Sequence, residues 1–209
     1  MVPGRLWFTG GHHFPLPVNG DGEGGCALYT RDGDSGTTRL WGATRVRKND
    51  ALMEVIGAID ELNACLGEAA ARAEASQYDD WVAMIRTVQH DLFDVSGQLA
   101  HPSSQVLRSS QVERLEGWID DLVLQMPALR FFVLPGGTLL STSLHLARTV
   151  ARRAERRMVA WLPVKRADGK LLLAYTNRIS DWLFALARAA NERAGRGNIP
   201  HQPHGHVQE

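Results

Sequence analysis

The stretch His145-Leu-Ala-Arg-Thr-Val-Ala-Arg-Arg-Ala-Glu-Arg-Arg157 combines an apolar helical stripe with five arginines. Spacings of three and four residues are those of one helical face. Here they bring together His145, Arg148, Arg152 and Glu155. Guanidinium groups hold phosphate oxygens well, because each planar fork donates two parallel hydrogen bonds. A basic face that only meets solvent would show the same pattern. The stretch therefore predicts an amphipathic helix and leaves the role of its arginines open.

Outward from this stretch, apolar residues recur at helical spacing over most of the chain. Four further helices are predicted at about residues 50–74, 78–100, 109–125 and 169–194. The basic helix itself begins after Pro135-Gly136-Gly137 and reaches about Trp161. Five amphipathic helices with short connections predict an all-α fold, a five-helix antiparallel bundle with a four-helix core of the ferritin-like kind.

The two ends of the chain differ from its middle in composition. Residues 1–26 and 195–209 are rich in Gly, Pro and His and show no periodicity. Both are predicted to be disordered extensions. Residues 27–194 are predicted to form one domain, which opens with a Gly/Thr/Asp loop segment before the first helix.

Composition excludes several classes of protein. The 23 Lys+Arg balance the 23 Asp+Glu, so no global charge attracts nucleic acid or a membrane. The two cysteines make no disulfide framework, so a reducing cytoplasm is expected. No apolar run is long enough to cross a bilayer, so a soluble protein is expected. No histidine has a glutamate three residues earlier, which weighs against a di-iron bundle, and no zinc motif is present. A protein-bound transition metal is therefore not expected.

The segment Leu28-Tyr-Thr-Arg-Asp-Gly-Asp-Ser-Gly-Thr-Thr38 combines glycines with hydroxyl and carboxylate side chains. Its glycines let backbone N–H groups approach a phosphate and form an anion-binding nest. It is neither a Walker loop nor an EF-hand, because the Gly-Lys-Ser/Thr of the first and the final glutamate of the second are missing. An ordinary turn and a phosphate-binding loop both remain open.

Some polar residues stand close to apolar helical positions. Asp60 lies near the core face of the first helix, where a buried carboxylate needs a partner. Arg148 is the candidate partner, and an ordinary boundary residue is the alternative. Asn177 and Asp181 stand four residues apart on the last helix and are expected to hydrogen-bond each other.

Phe132 stands at a junction between a loop and a helix, just before Pro135-Gly136-Gly137. An aromatic residue in such a place usually belongs to the core. The alternative is that it covers a flat hydrophobic ligand.

Seven blocks, taken in order, resemble the cobalamin adenosyltransferases of the PduO-type, which use ATP and a corrinoid. The blocks are Tyr29-Thr-Arg-Asp-Gly-Asp-Ser-Gly-Thr-Thr38, Arg45-Val-Arg-Lys-Asn-Asp50, Gly57-Ala-Ile-Asp-Glu-Leu-Asn63, Gln89-His-Asp-Leu-Phe-Asp94, Phe132-Val-Leu-Pro-Gly-Gly137, Ala147-Arg-Thr-Val-Ala-Arg-Arg-Ala-Glu-Arg-Arg157 and Tyr175-Thr-Asn-Arg-Ile-Ser-Asp181. Each block is weak alone, but seven in this order are specific, and they span residues 28–192.

The resemblance implies transfer of the 5′-deoxyadenosyl group of ATP to the cobalt of cob(I)alamin, with release of triphosphate. It also implies a homotrimer whose active sites lie between subunits, and Mg²⁺ bound with ATP. The cobalamin is bound first as base-off cob(II)alamin. Further implied partners are a reductase and an adenosylcobalamin-dependent enzyme.

The resemblance also implies roles for individual residues. Arg152 neutralises the phosphates, Asp60 and Arg148 form an ion pair on the corrinoid side, and Phe132 fills the lower face of the corrin and displaces its axial base. The residues implied to bind the nucleotide are Thr30, Arg31, Asp32, Gly33, Asp34, Thr37, Thr38, Lys48, Arg152, Arg153, Glu155, Arg156 and Asn177.

The chain departs from the family pattern in and beside the phosphate loop. Asp32 replaces a small residue and adds negative charge. Trp41-Gly42-Ala43-Thr44 replaces a more glycine-rich stretch that commonly carries an acidic or amide residue, and Asn49 replaces a common aspartate. These changes keep a second hypothesis open. In that hypothesis the chain is a non-catalytic bundle that binds nucleotide or corrinoid and delivers cofactor or regulates a partner.

Overall fold

The computed structural model describes residues 29, 31–40, 45–101, 103–162 and 166–202. The chain divides into two compact units, Met1–Asp50 and Ala51–Glu209. The predicted extension over residues 1–26, the segment 41–44, and residues 203–209 of the predicted tail lie outside the described residues. Thr30 lies outside them as well.

The described residues of the second unit form five helices, which confirms the predicted number of helices. They are α1 (Ala51–Ala75), α2 (Asp79–Ala100), α3 (Ser109–Leu124), α4 (Leu139–Trp161) and α5 (Gly169–Arg193). Capping explains the start of α4, because the Thr138 side chain accepts a 3.1 Å hydrogen bond from the backbone N–H of Ser141. In the described part of the chain, no helix is long and apolar enough to cross a membrane.

Apolar stripes on the helices meet in one core. Residues at spacings of three and four are fully buried on each long helix, as Leu62 and Leu66 are on α1. The helix α1 packs against α2 and α4, and α5 packs against α4 and α3. The remaining large side chains of the core include Ile85, Leu92, Leu144, Met158, Leu172, Tyr175 and Trp182.

Helix direction follows from the cross-links between helices. Glu54 and Glu61 of α1 meet Arg157 and Arg153 of α4, so the numbering rises on one helix as it falls on the other and the pair is antiparallel. Helix α3 and the residues just after it run parallel to α5. Glu116 of α3 accepts from Arg178, and the carbonyl of Pro127, just beyond α3, accepts from Arg188. The α3 helix therefore packs against α5 in a parallel sense, whereas α1 and α4 pack in an antiparallel sense.

A buried carboxylate joins α2, α3 and α5. Asp91 accepts hydrogen bonds from the Tyr175 hydroxyl at 2.6 Å and from Gln111 Nε2 at 2.9 Å, and it forms an ion pair with Arg114. Burial, followed by the charge of Asp91, raises the pKa of Tyr175 well above its usual value, so the phenol remains a donor. The network satisfies a carboxylate that would otherwise be costly to bury.

The first unit contains a two-stranded antiparallel hairpin, which the sequence analysis assigned to a loop. Strands β1 (Thr37–Arg39) and β2 (Arg45–Arg47) pair Thr38 with Val46 at their centre. Strands of three residues are too short to produce a visible alternation in the sequence, so periodicity could not reveal them.

Residues 195–202 correct the prediction of a disordered tail from residue 195. Gly195 has φ +67°, the left-handed conformation in which glycine commonly ends a helix. The chain then turns back along the segment that precedes α4. There the N–H of Leu134 donates to the carbonyl of Ile199 at 2.8 Å. Composition alone did not reveal this pairing, because it depends on a partner about 65 residues earlier in the chain.

Candidate active site

One open cavity brings together four of the predicted nucleotide residues. It lies between α4 and α5 and has a volume of about 340 Å³. Its lining consists of Arg152, Glu155, Arg156, Val159 and Asn177. Four of the lining residues lie on α4, where Glu155, Arg156 and Val159 follow Arg152 by three, four and seven positions. Val159 was missed, because an apolar residue on an arginine-rich helix carries no signal of its own.

A hydrogen bond between helices orders one wall of this cavity. Asn177 Nδ2 donates to Glu155 Oε1 at 2.9 Å. The predicted bond from Asn177 to Asp181 is therefore wrong, since Asp181 instead pairs with Arg178 at 2.9 Å. The Glu155 carboxylate lies across the interface from Asn177, whereas Asp181 is exposed.

The arginines of α4 divide into two groups. Arg153 pairs with Glu61, and Arg157 pairs with Glu54 at 3.1 Å, so both tie α4 to α1. The structure thus places Arg153 in a contact with α1 and not in the lining of the cavity. Within the described residues no ion pair engages Arg152 or Arg156. Arg156 Nη1 donates to the Arg152 carbonyl at 3.0 Å, and the other N–H groups of the two guanidinium groups remain available for an anion.

The basic face of α4 is less uniform than the spacing predicted. His145 is only 3% exposed and its ring lies 6.1 Å from that of Phe184 on α5. Burial, and then the charge of Arg148, lower the pKa of His145 to about 4. The guanidinium of Arg148 lies 6.0 Å from the Phe184 ring. Burial, followed by the charge of Arg152, lowers the pKa of Arg148. His145 is therefore a neutral buried residue and not part of an exposed cationic face.

Asp60 and Arg148 are not brought together within one chain. Asp60 is exposed on α1, and the ion pairs of the described residues do not include one between these two side chains. One step along a helix turns the side chain by about 100°. Glu61, the next residue, is the one that faces α4 and meets Arg153.

Phe132 is 85% exposed, which excludes the core alternative within this chain. Its neighbour Phe131 is also exposed, and the two rings line an open cavity of about 370 Å³. The other lining residues are Leu129, Arg130 and His201. Contiguous exposed aromatic surface of this kind is typical of a binding site for an apolar ligand.

In the first unit, the predicted phosphate loop is ordered by Asp32. Its carboxylate forms ion pairs with Arg45 and, at 3.6 Å, with Arg39. Arg45 Nη1 also donates to Thr37 Oγ1 at 2.7 Å and to the Asp32 carbonyl at 3.3 Å. The negative charge of Asp32, a residue that differs from the family pattern, is thus offset by two arginines. The sequence analysis did not assign these arginines a role.

Two glycines shape the same loop. A Cβ at Gly33 would lie 2.9 Å from Nζ of Lys48, so a side chain there would displace the ammonium group. Gly36 has φ +78°, and its carbonyl accepts from the N–H of Lys48 at 2.9 Å. The structure therefore brings Lys48 beside the predicted loop residues, whose remaining members are Arg31, Asp34, Thr37 and Thr38.

The chain is similar to known proteins over most of its length. The family model for cobalamin adenosyltransferase matches residues 28–190. A corrinoid adenosyltransferase of Bacillus subtilis is 40% identical over 179 residues, covering 84% of this chain and 92% of that protein. One from Mycobacterium bovis is 45% identical over 175 residues, covering 78% and 88%.

Solved structures show the same similarity. A variant PduO-type ATP:corrinoid adenosyltransferase from Lactobacillus reuteri, complexed with cobalamin and ATP, has a TM-score of 0.79 and 33% identity to this chain. The match covers 84% of this chain and 97% of that one. Because the family model matches residues 28–190 of the 209 residues, this chain belongs to the cobalamin adenosyltransferase family.

Proposed function

We propose that Arg152, Glu155, Arg156 and Asn177 bind the ATP used by this enzyme. The chain is an ATP:corrinoid adenosyltransferase, which transfers the 5′-deoxyadenosyl group of ATP to the cobalt of cob(I)alamin and releases triphosphate. The observation that carries the assignment is the cavity between α4 and α5, where two arginines without carboxylate partners stand beside an ordered Glu155–Asn177 pair.

The chemistry explains why the cavity needs no nucleophile. Cobalt(I) supplies the electron pair that forms the bond to the 5′-carbon, while the bond from that carbon to the triphosphate oxygen breaks. The leaving triphosphate gains negative charge at that oxygen. Guanidinium groups such as those of Arg152 and Arg156 stabilise charge that develops in the transition state. Holding both substrates in line supplies the remainder of the acceleration.

The loop of the first unit is proposed to bind the phosphates with Mg²⁺. Support comes from the backbone of Gly33 and Gly36, from the ammonium group of Lys48 beside Gly33, and from the two arginines that offset Asp32. Thr30, Arg31, Asp34, Thr37 and Thr38 belong to the same proposal by family resemblance.

Phe132 is proposed to cover the lower face of the corrin and to displace its axial base. Its exposed ring, beside that of Phe131, supports this role. Without the axial ligand the half-filled axial orbital of cobalt(II) falls in energy, so a weakly reducing reductase can supply the electron that converts cobalt(II) to cobalt(I). Asp60 and Arg148 are proposed to form their ion pair between subunits, since one chain does not join them.

The chain is proposed to form a homotrimer in the cytoplasm. Its product is proposed to pass to an adenosylcobalamin-dependent enzyme. Exposed apolar side chains on α4 support a subunit interface, because Leu146 and Val159 are 58% and 59% exposed. Sedimentation of the full chain tests the trimer, and a monomer at working concentration would contradict it.

The decisive assay for the function mixes the protein with ATP and chemically reduced cobalamin. Formation of the cobalt–carbon bond is followed through the change in visible absorbance, and release of triphosphate is measured in the same sample. Equal amounts of both products are expected. Binding of both ligands without a spectral change would instead favour the non-catalytic carrier hypothesis.

A further inference from the structure

The backbone around Phe132 is held by residues that follow α5. The carbonyl of Phe132 accepts from the N–H of His201 at 2.6 Å. Two residues on, the N–H of Leu134 donates to the carbonyl of Ile199 at 2.8 Å. The residues between these two contacts form an antiparallel bridge. We call this pairing of residues 132–134 with 199–201 the Phe132 ladder.

Asn191 of α5 holds the other end of the same segment. Its side chain is 1% exposed. Its Nδ2 donates to the carbonyl of Gly136, and its Oδ1 accepts from the N–H of Thr138, both at 2.9 Å. Gly137 lies between them with φ +104°, and a Cβ there would lie 2.2 Å from Asn191 Oδ1. Both the backbone conformation and the close approach therefore require glycine.

Asn198 connects Asn191 to the Phe132 ladder. Asn191 Nδ2 also lies 3.4 Å from Asn198 Oδ1, and Asn198 Nδ2 donates to Glu192 Oε1 at 2.7 Å. The segment before α4 is thus bonded along its length to the end of α5 and to the residues just beyond it.

We infer that Asn191 and residues 198–201 are positioning elements that aim Phe132 at the corrinoid. The ring of Phe132 is almost fully exposed, so side-chain packing does not set its direction and the backbone must do so. An aromatic ring can displace an axial ligand only if it lies where that ligand would otherwise bind the cobalt. The inference rests on the proposed function, because it explains how the aromatic group assigned there is aimed.

Because the His201 side chain also lines the Phe132 cavity, His201→Ala, which keeps the backbone N–H, is the control for loss of the imidazole, and two proline variants test the backbone contact. His201→Pro removes the N–H that bonds to Phe132, whereas Gln202→Pro places the same ring where no hydrogen bond of the N–H is recorded among the described residues. Rates are measured with cob(II)alamin plus a reductant and with pre-reduced cob(I)alamin. With His201→Pro, the cob(II)alamin rate should fall about tenfold, as for a misplaced group. The cob(I)alamin rate and the KM for ATP should not change, and Gln202→Pro should match the unmodified chain in both assays.

Hydrogen exchange supplies a readout that does not depend on activity. The amide of Leu134 should exchange faster in His201→Pro than in Gln202→Pro, because the ladder is broken in the first variant only. If His201→Pro does not fold, Asn198→Ala weakens the same ladder from its base and is put through the same measurements.

Two results would overturn the inference: identical behaviour of His201→Pro and Gln202→Pro, or an equal loss with both oxidation states of cobalt. Phe132→Ala, measured in parallel, separates this failure from a failure of the proposed function. An equal loss in Phe132→Ala with both cobalt states removes the role of the ring, and the inference with it. A selective loss in Phe132→Ala but not in His201→Pro overturns the inference alone.

Discussion

Asn177 on α5 donates a 2.9 Å hydrogen bond to Glu155 on α4, although the two residues are 22 positions apart in sequence. The bond joins two helices at the wall of the cavity assigned to the nucleotide. It orients the Asn177 amide, whose oxygen has no hydrogen-bond partner among the described residues and can accept a hydrogen bond from a ligand. Beside it stand Arg152 and Arg156, while Arg153 and Arg157 are engaged by α1.

Replacing Asn177 by aspartate should raise the KM for ATP about tenfold, through the loss of one hydrogen bond and repulsion between two carboxylates. The KM for the corrinoid should not change. Asp181→Asn, one turn further along α5, serves as the control. Steady-state kinetics with each substrate varied in turn provides the measurement, and an unchanged KM for ATP would remove Asn177 from the site.

Arg152→Ala should lose most of the activity. Each charged hydrogen bond to the triphosphate contributes about 1.5–3 kcal/mol, so kcat/KM for ATP should fall roughly 10- to 100-fold. Arg157→Ala is the matched control on the same helix, because its guanidinium pairs with Glu54. That variant should keep its ATP kinetics and lose about 0–1 kcal/mol of stability. Similar kinetic losses in both variants would argue against a specific site.

The two arginines around Asp32 should differ in importance. Arg45 bonds the side chain of Thr37 and the backbone of Asp32, in addition to the carboxylate, whereas the recorded contact of Arg39 is a 3.6 Å ion pair. Arg45→Ala should therefore raise the KM for ATP several-fold, at about 1 kcal/mol per hydrogen bond, and Arg39→Ala should change it little. Equal effects would show that the arginines supply only general charge.

His145 should make the folded chain sensitive to acid. Its folded pKa of about 4 lies below the ordinary value of 6.5, so between these values the unfolded chain binds a proton that the folded chain does not. The stability associated with this group is complete above pH 6.5 and falls as pH decreases toward 4. The loss reaches about 3 kcal/mol over that window.

Urea unfolding of His145→Leu at several pH values checks this expectation. Neither ring nitrogen has a hydrogen-bond partner among the described residues, so the apolar replacement removes no such bond. The unfolding free energy of the variant minus that of the unmodified chain should increase as pH falls from 7 to 4. A difference that does not vary with pH would mean that His145 is protonated as readily when folded as when unfolded.

Long periodic patterns made the helices predictable. In α1, Val55, Ile59, Leu62 and Leu66 repeat over several turns, and the predicted and observed limits differ by one residue at each end. A repeated pattern averages out any single misleading residue. The three-residue strands offered no such repetition, and the pairing of residues 199–201 with 132–134 depends on a contact distant in sequence.

The amino-acid sequence by itself determined the helical class, the helix limits and the location of the arginine-rich segment, because these depend on local spacing. Tertiary structure alone decided which of the adjacent arginines is free. Arg152 faces the cavity, whereas Arg153 meets Glu61, and a difference of one residue turns a side chain by about 100°. It also decided that His145 is buried and that Phe132 is exposed. Burial depends on what the neighbouring helix places opposite each residue, and no local pattern records that.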